Sequence, residues 1–328
     1  MSIHLDQLLL SKKVLLLQGP MGRFFKKFAR WLNSFNIETF KINFNGGDRF
    51  FFGREKNTFD YGEPLTAFSS WIENFLIAHE IDSIVCFGDC RLQHRIAKQV
   101  SIRLNINFFA FEEGYIRPNY ITFEQDGVNF YSNFTDTLSI YVNKRNVIRV
   151  EPIEETSNSY CFMMCCAIVY YAANLYFNKT FPHYHHHRNL STAEECFSWI
   201  RSLFKRIRNY FLEKPKFKRF ISNYSKQYYV FALQVHNDSQ ILIHSELKRM
   251  EDYIEQVIHS FALHADKTHH LVLKHHPMDR GYRNYTKLIQ KIAKENNVAG
   301  RIHYFCDIHL PTLLKNSLGM VAVNSTTI

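Results

Sequence analysis

This 328-residue chain contains no paired Cys-x-x-Cys spacing, no secretory leader and no complete dinucleotide fingerprint, and each absence removes a class of protein. Its seven cysteines (Cys86, Cys90, Cys161, Cys165, Cys166, Cys196, Cys306) are odd in number and unpaired in spacing, which excludes a structural zinc site and implies a reducing compartment. At the N-terminus, MSIHLDQLLLSKKVLLL places Asp6, Lys12 and Lys13 inside what would be an apolar leader core, and no small-residue cleavage site follows. The turn Gly19-Pro20-Met21-Gly22 lacks the remaining fingerprint glycine, and no acidic residue ends the next apolar run, so a nicotinamide cofactor is excluded and no cofactor is expected. RNP-like and KH-like motifs are absent, and Lys and Arg are spread along the chain, which argues against nucleic acid as a partner. The longest uncharged stretch, YCFMMCCAIVYYAANLYF over 160–177, approaches the ~18 residues of a membrane span. Rich in Cys, Ala, Tyr and Asn, it reads as a buried helix instead, with Cys161, Cys165 and Cys166 at helical spacing as core.

What is present is material for two domains, at roughly 100–200 residues each. Apolar residues make up 46% and aromatics 16%, which excludes disorder, and the net charge of +10 favours an anionic partner: nucleic acid, an anionic membrane surface or a nucleotide-activated substrate.

Residues 1–150 alternate strand-type and helix-type runs. Strands are expected at 14–18, 37–44, 83–87 and 106–111, and helices at 23–35, 65–79 and 91–104. Residues 151–224 are helical and basic, including the amphipathic run 191–212, and read as a bridging region. Alternation resumes over 225–328, with strands at 228–233, 270–274, 302–305 and 320–323 and helices at 246–263, 285–296 and 310–316. Two Rossmann-like α/β halves joined by a helical region is the GT-B architecture. The chain closes on Asn324-Ser325-Thr326-Thr327-Ile328, a turn and helix-cap sequence, and a doubly wound half expects a further helix and strand there. The C-terminal half is therefore expected to be truncated.

Open α/β sheets bind ligands beyond the carboxyl ends of their strands, and the polar clusters of this sequence fall at such points. Gly19 and Gly22 follow the first strand, Asp89 and Arg91 the third, and Glu112 and Glu113 the fourth; in the second half Gln234 to Asp238, His275-His276-Pro277 and Asn324-Ser325-Thr326 do the same. At the end of an apolar strand, desolvation raises a carboxyl into the range useful for acid/base work, although Glu112 and Glu113 would serve equally as caps. Asp238 is a candidate nucleophile or base. His276-Pro277 beside Lys274 suits a phosphate or carboxylate, and Asn324 to Thr326 suits a phosphate or a plain helix cap. The tract His183 to His187 is not read as a metal site, because adjacent histidines cannot converge on one ion from regular structure and no carboxylate or cysteine lies at ligand spacing.

Taken together, LQGPMGRFF, FGDCRLQHRIA, FEEGYIRPNYITFE, FPHYHHHRNLS, LQVHNDSQI, KHHPMDRGY and VNSTT resemble, in order from Leu17 to the last residue, the capsule polysaccharide biosynthesis family of KpsS/LipB type. FEEGYIRP with KHHPMDRG is the specific part. The resemblance implies a retaining β-Kdo transferase that uses CMP-Kdo to start the poly-Kdo linker on a lysophosphatidylglycerol-type lipid acceptor. It implies other capsule biosynthesis and export proteins as partners, and a cytoplasmic position, peripheral on the inner face of the inner membrane. Residue by residue, it implies Asp238 as nucleophile, Glu112 as acid/base with Glu113 as the alternative within the pair, and His276 with Pro277 on the CMP phosphate or cytidine. Ser325 and Thr326 would assist, with Asn324 and Gln234 on the same donor side. Gly19, Gly22, Asp89 and Arg91 are expected on the sugar or acceptor side. Charge assigns Arg117 and Lys274 to the Kdo carboxylate. Two competing readings are a catalytically impaired scaffold of the capsule assembly complex, which would bind CMP-Kdo without turnover, and a nucleic-acid-binding protein, which would bind RNA in a salt-sensitive way.

Overall fold

The computed structural model describes residues 3–114, 120–132, 160–184 and 192–324. The chain divides into two compact units, residues 1–189 and 190–328.

In the first unit the described elements run α1 (Ile3–Leu8), β1 (Lys13–Leu16), α2 (Phe24–Asn33), β2 (Glu38–Asn43), α3 (Gly46–Phe52), β3 (Thr58–Asp60), α4 (Leu65–Ala78), β4 (Ser83–Phe87), α5 (Leu92–Leu104), β5 (Asn107–Glu113), β6 (Ile121–Gln125) and α6 (Tyr160–Tyr176). The sheet order is β3-β2-β1-β4-β5-β6, parallel except for the antiparallel β6. Strands covered on both faces read as continuous apolar runs, which is why KVLL and SIVCF form the sheet centre. Alternation along β1 sends Leu15 to a core with Ile84, Phe108, Phe68 and Ile72, and Val14 and Leu16 to an opposite core with Phe109, Phe25 and Leu32. Helix α5 ends at Asn105, which adopts the left-handed conformation at φ 55° that an amide side chain tolerates.

Helix α6 stacks on α3, and glycine permits it. A Cβ on Gly47 would stand 2.1 Å from the Tyr170 ring, and one on Gly46 would stand 2.2 Å from the Ala173 carbonyl oxygen. Gly47→Ala is therefore expected to cost about 1–3 kcal/mol of overpacking, read as a lowered urea midpoint. The expectation of a buried α6 needs correction. Tyr170, Tyr171 and Ala173 are buried, but Phe162, Met163, Ile168, Leu175 and Tyr176 are each more than half exposed, and Cys165 is exposed rather than core. The absence of charge marked the segment as apolar without showing that only one face is covered. Among the described residues no helix is long and apolar enough to cross a membrane.

The second unit runs α7 (Thr192–Tyr224), β7 (Tyr228–Ala232), α8 (Ser239–Leu242), α9 (Met250–His264), β8 (His270–Lys274), α10 (Thr286–Glu295), β9 (Ile302–Phe305), α11 (Leu310–Lys315) and β10 (Gly319–Val321). Its sheet, β10-β7-β8-β9, is parallel throughout. One face packs Phe231, Leu271 and Leu273 on Ile254, Ile258 and Ile289 of α9 and α10; the other packs Tyr228, Val230 and Val272 on Phe220 of α7 and Leu313 of α11. Two doubly wound α/β units thus follow one another in the chain, as the sequence pattern predicts.

Candidate active site

Both sheets have a topological switch point, where consecutive strands depart in opposite directions and the carboxyl-end crevice opens. In the first unit it lies between β1 and β4, in the second between β7 and β10. The turns expected to carry chemistry follow these strands and their neighbours.

At the first switch point, Gly22 has φ +133° in the turn after β1, a conformation that favours glycine. Gln18, just before this turn, is buried and fully engaged: its Nε2 donates to Tyr170 Oη at 3.0 Å and Tyr184 Oη at 3.2 Å, and its Oε1 accepts from Gln93 Nε2 at 2.6 Å. Asn45 Nδ2 adds a donor to Tyr170 Oη at 2.7 Å. After β4, Asp89 is buried and ties two turns together, accepting from the Val128 backbone N–H at 3.0 Å and from the Cys90 thiol at 3.3 Å. Arg91 occupies the position just before α5, with no side-chain hydrogen bond to the helix N–H groups.

Glu112 stands next to last in β5, opposite Thr122 of β6. Its Oε1 accepts the Glu113 backbone N–H at 3.0 Å, and its other carboxyl oxygen faces Gly88. Burial lifts its carboxyl above the ordinary glutamate value, aided by the charges of Glu113 and Asp89 and opposed by the Glu113 N–H and Arg91. Glu113 is exposed. The environment thus moves the Glu112 carboxyl in the direction expected of an acid/base group.

Sequence reasoning missed three buried ionisable groups of this unit. His94 Nδ1 pairs with the Gly88 carbonyl oxygen at 2.5 Å, and burial pushes the ring down to about 3, so it is neutral, donates from Nδ1 and fixes the Gly88 turn. Lys41 and Asp48 lie buried beside a small cavity that also borders Gly19, Gly22 and Tyr170. Burial pulls the Lys41 amine down to about 8 and pushes the Asp48 carboxyl up, each group partly offsetting the penalty on the other. Isolated in the strand ETFKIN and the helix GGDRFFF, neither residue had a visible partner.

At the second switch point the structure brings Asp238, Asn324 and Gln240 together. Asp238 Oδ1 accepts the Gln240 backbone N–H at 2.9 Å, and the Gln240 carbonyl accepts from Asn324 Nδ2 at 2.9 Å. Asn324 Oδ1 and Gln234 Oε1 are buried and have no hydrogen-bond partner among the described residues. Lone acceptors at a carboxyl-end crevice call for a polar ligand, because leaving one unmatched costs about 1–3 kcal/mol.

After β8, Lys274 is buried, donating to the carbonyl oxygens of His275 at 3.0 Å and Cys306 at 2.5 Å, and burial lowers its amine. His276 Nδ1 accepts the Met278 N–H at 3.2 Å, capping the short turn Pro277–Asp279 with Pro277 at its start. His275 is buried, pushed down to about 4 by burial, and pairs through Nδ1 with Tyr304 Oη at 2.8 Å.

The pair His236–Asp279 was not anticipated. The wholly buried Asp279 carboxylate accepts the His236 ring Nδ1–H at 2.5 Å and the His236 backbone N–H at 3.3 Å. It thereby fixes the imidazole tautomer and ties the Asp238 turn to the turn after β8. Asp279→Ala strands both donors and is expected to lower stability by about 1–3 kcal/mol in urea titration. Of the other expected residues, Arg117, Ser325, Thr326 and His185 to His187 lie outside the described residues; His183 is exposed.

A family profile described as "Capsule polysaccharide biosynthesis protein" matches residues 82–327. The capsule polysaccharide export protein KpsS of Escherichia coli is 38% identical over 322 residues, 98% of this chain and 82% of the relative. The capsule polysaccharide modification protein LipB of Neisseria meningitidis serogroup B is 35% identical over 323 residues, 97% of this chain and 77% of the relative. Among solved structures, a glycosyltransferase from Rickettsia africae aligns over 93% of this chain and 71% of its own, with a TM-score of 0.31 and 9% identity. A UDP-GlcNAc 2-epimerase from Methanocaldococcus jannaschii aligns over 94% and 78%, with a TM-score of 0.26 and 14% identity.

Proposed function

The chain belongs to the capsule polysaccharide biosynthesis family, and on that premise we propose that it is a retaining β-Kdo glycosyltransferase. It takes CMP-Kdo as donor and a lysophosphatidylglycerol-type lipid as acceptor, with no cofactor. It works at the inner face of the inner membrane beside other capsule biosynthesis and export proteins. The observation that carries the reading is the second switch point, where the buried lone acceptors Gln234 Oε1 and Asn324 Oδ1 flank the turn that holds Asp238.

Retention by double displacement needs a carboxylate nucleophile and a separate acid/base group. Asp238 attacks the anomeric carbon of the bound donor. The bond to the CMP phosphate oxygen breaks, the electron pair leaves with CMP, and an ester links Asp238 to the sugar. Glu112 then takes the proton from the acceptor hydroxyl as that oxygen attacks the same carbon and Asp238 departs. The Gln240 N–H fixes one Asp238 oxygen and leaves the other to form the bond. Gln234 and Asn324 accept from the donor, and His276 with Pro277 meets the nucleotide, joined by Ser325 and Thr326. Lys274 and Arg117 supply positive charge toward the sugar carboxylate. In the first unit Gly19, Gly22, Asp89 and Arg91 form the acceptor side.

Incubation with CMP-Kdo and a fluorescent lysophosphatidylglycerol, followed by mass spectrometry, tests the reading. A product heavier by one Kdo with β configuration supports it. Donor binding without any product would support the scaffold reading instead.

A further inference from the structure

Helix α7 is turned inside out relative to an ordinary surface helix. Before its C-terminal turns, which pack through Phe220, the side laid on its own unit is polar over Lys205, Asn209 and Glu213. Lys205 Nζ donates to the Arg280 carbonyl at 2.8 Å and Asn209 Nδ2 to Asp307 at 2.8 Å, while Glu213 accepts the backbone N–H groups of Cys306 and Asp307 at 2.9 and 2.7 Å. The outward side is apolar. Phe197, Ile200, Phe204, Ile207 and Phe211 recur at alternating spacings of three and four, each between 52% and 68% exposed. That spacing makes one continuous stripe, of the kind a soluble helix normally buries.

Charge identifies what covers it. Arg201, Arg208 and Lys214 flank the stripe at helical spacing and are exposed, and Lys218 and Arg219 are exposed further along the same helix. From 196 to 224 the one acidic residue is Glu213, already held against the unit. A second copy packing through the same stripe would bring two cationic helices face to face, because a two-fold contact sets a patch against itself. A bilayer rich in anionic headgroups satisfies both the stripe and its rim, and the basic residues within the helix exclude a span.

We propose that α7 is an interfacial membrane helix that seats the second unit on an anionic bilayer, with the 197–211 stripe in the headgroup–acyl boundary and the Arg and Lys side chains on lipid phosphates. The assignment rests on the lipid-acceptor reading for its purpose: it holds the donor-side unit where a lipid acceptor resides.

Co-sedimentation of the full chain with vesicles tests it, using phosphatidylcholine alone and phosphatidylcholine mixed with phosphatidylglycerol. Wild type is expected to sediment with the mixed vesicles only. Arg201→Gln/Arg208→Gln should lower that partition about twenty-five-fold, at roughly fivefold per charge, and Phe204→Asp/Phe211→Asp at least about tenfold. Transfer to a water-soluble short-chain acceptor should be unchanged in both. If the Phe variant fails to fold, the arginine variant decides. The proposal is overturned if wild type ignores the anionic vesicles or if a folded variant binds them as wild type does. It is likewise overturned if the substitutions dissolve a wild-type dimer in light scattering, or abolish RNA retention, and leave vesicle binding intact. Vesicle binding without sugar transfer to any acceptor would sink the enzymatic reading and leave this one standing. Transfer without vesicle binding would do the reverse.

Discussion

Asp238→Ala is expected to remove Kdo transfer almost completely, by 10²-fold or more, the scale of loss typical of a positioned catalytic group. The effect should be chemical rather than structural. Among the described residues the carboxylate accepts its hydrogen bond from the Gln240 N–H at the start of the four-residue helix α8. Losing such a cap costs about 1 kcal/mol, so the melting transition should shift little. Donor binding should persist, because Gln234, Asn324 and the His276 turn are untouched. A purified Asp238→Ala enzyme that keeps more than about a tenth of the wild-type rate would remove Asp238 from the reaction.

Glu112→Gln is expected to cost a similar factor and also to change the pH profile. As the base in the second step, Glu112 must be ionised to accept the acceptor's proton. Burial raises its carboxyl, so the rate of the wild-type enzyme should fall on acidification at a pH above that of an ordinary glutamate. The residual rate of Glu112→Gln should lack that limb. If Glu113→Gln removes the limb and Glu112→Gln keeps it, the pair is right and the order within it reversed. If neither substitution moves it, the base lies elsewhere.

The parts of the fold that could be read in advance are those encoded in contiguous apolar runs. VLLLQ, SIVCF, INFFAF and HLVLK gave strands whose ends fall within a few residues of those observed, because a strand buried on both faces has no polar positions to obscure it. Elements with weak local signals were missed. Helix α3 begins Gly46-Gly47, which reads as a loop until α6 is seen packed against it. Strand β3 has three residues, and β6 begins inside the motif FEEGYIRPNYITFE and ends one residue beyond it. The amphipathic run was expected to stop at 212, before Pro215, yet α7 continues through that proline to Tyr224. Its C-terminal turns are anchored by Phe220 on Tyr228, with ring centroids 4.9 Å apart, a tertiary contact that propensity cannot register.

The candidate site divides in the same way. Positions at strand ends could be named, because ligands in open α/β sheets gather there. What could not be named were groups whose meaning depends on a distant partner. His236 and Asp279 are 43 residues apart in sequence, and Lys41 acquires its lowered amine only when folding buries it beside Asp48.

The most direct test of the account is to trap the sugar on the protein. With CMP-Kdo and no acceptor, the first displacement can proceed and the second cannot, so intact-mass spectrometry of the Glu112→Gln enzyme should find a species heavier by one Kdo residue. Peptide mapping should place the addition on Asp238, and Asp238→Ala/Glu112→Gln should show none. A Glu112→Gln enzyme that releases CMP from the donor without carrying sugar at any time, or that carries it on another residue, would contradict the assignment of Asp238 as the nucleophile.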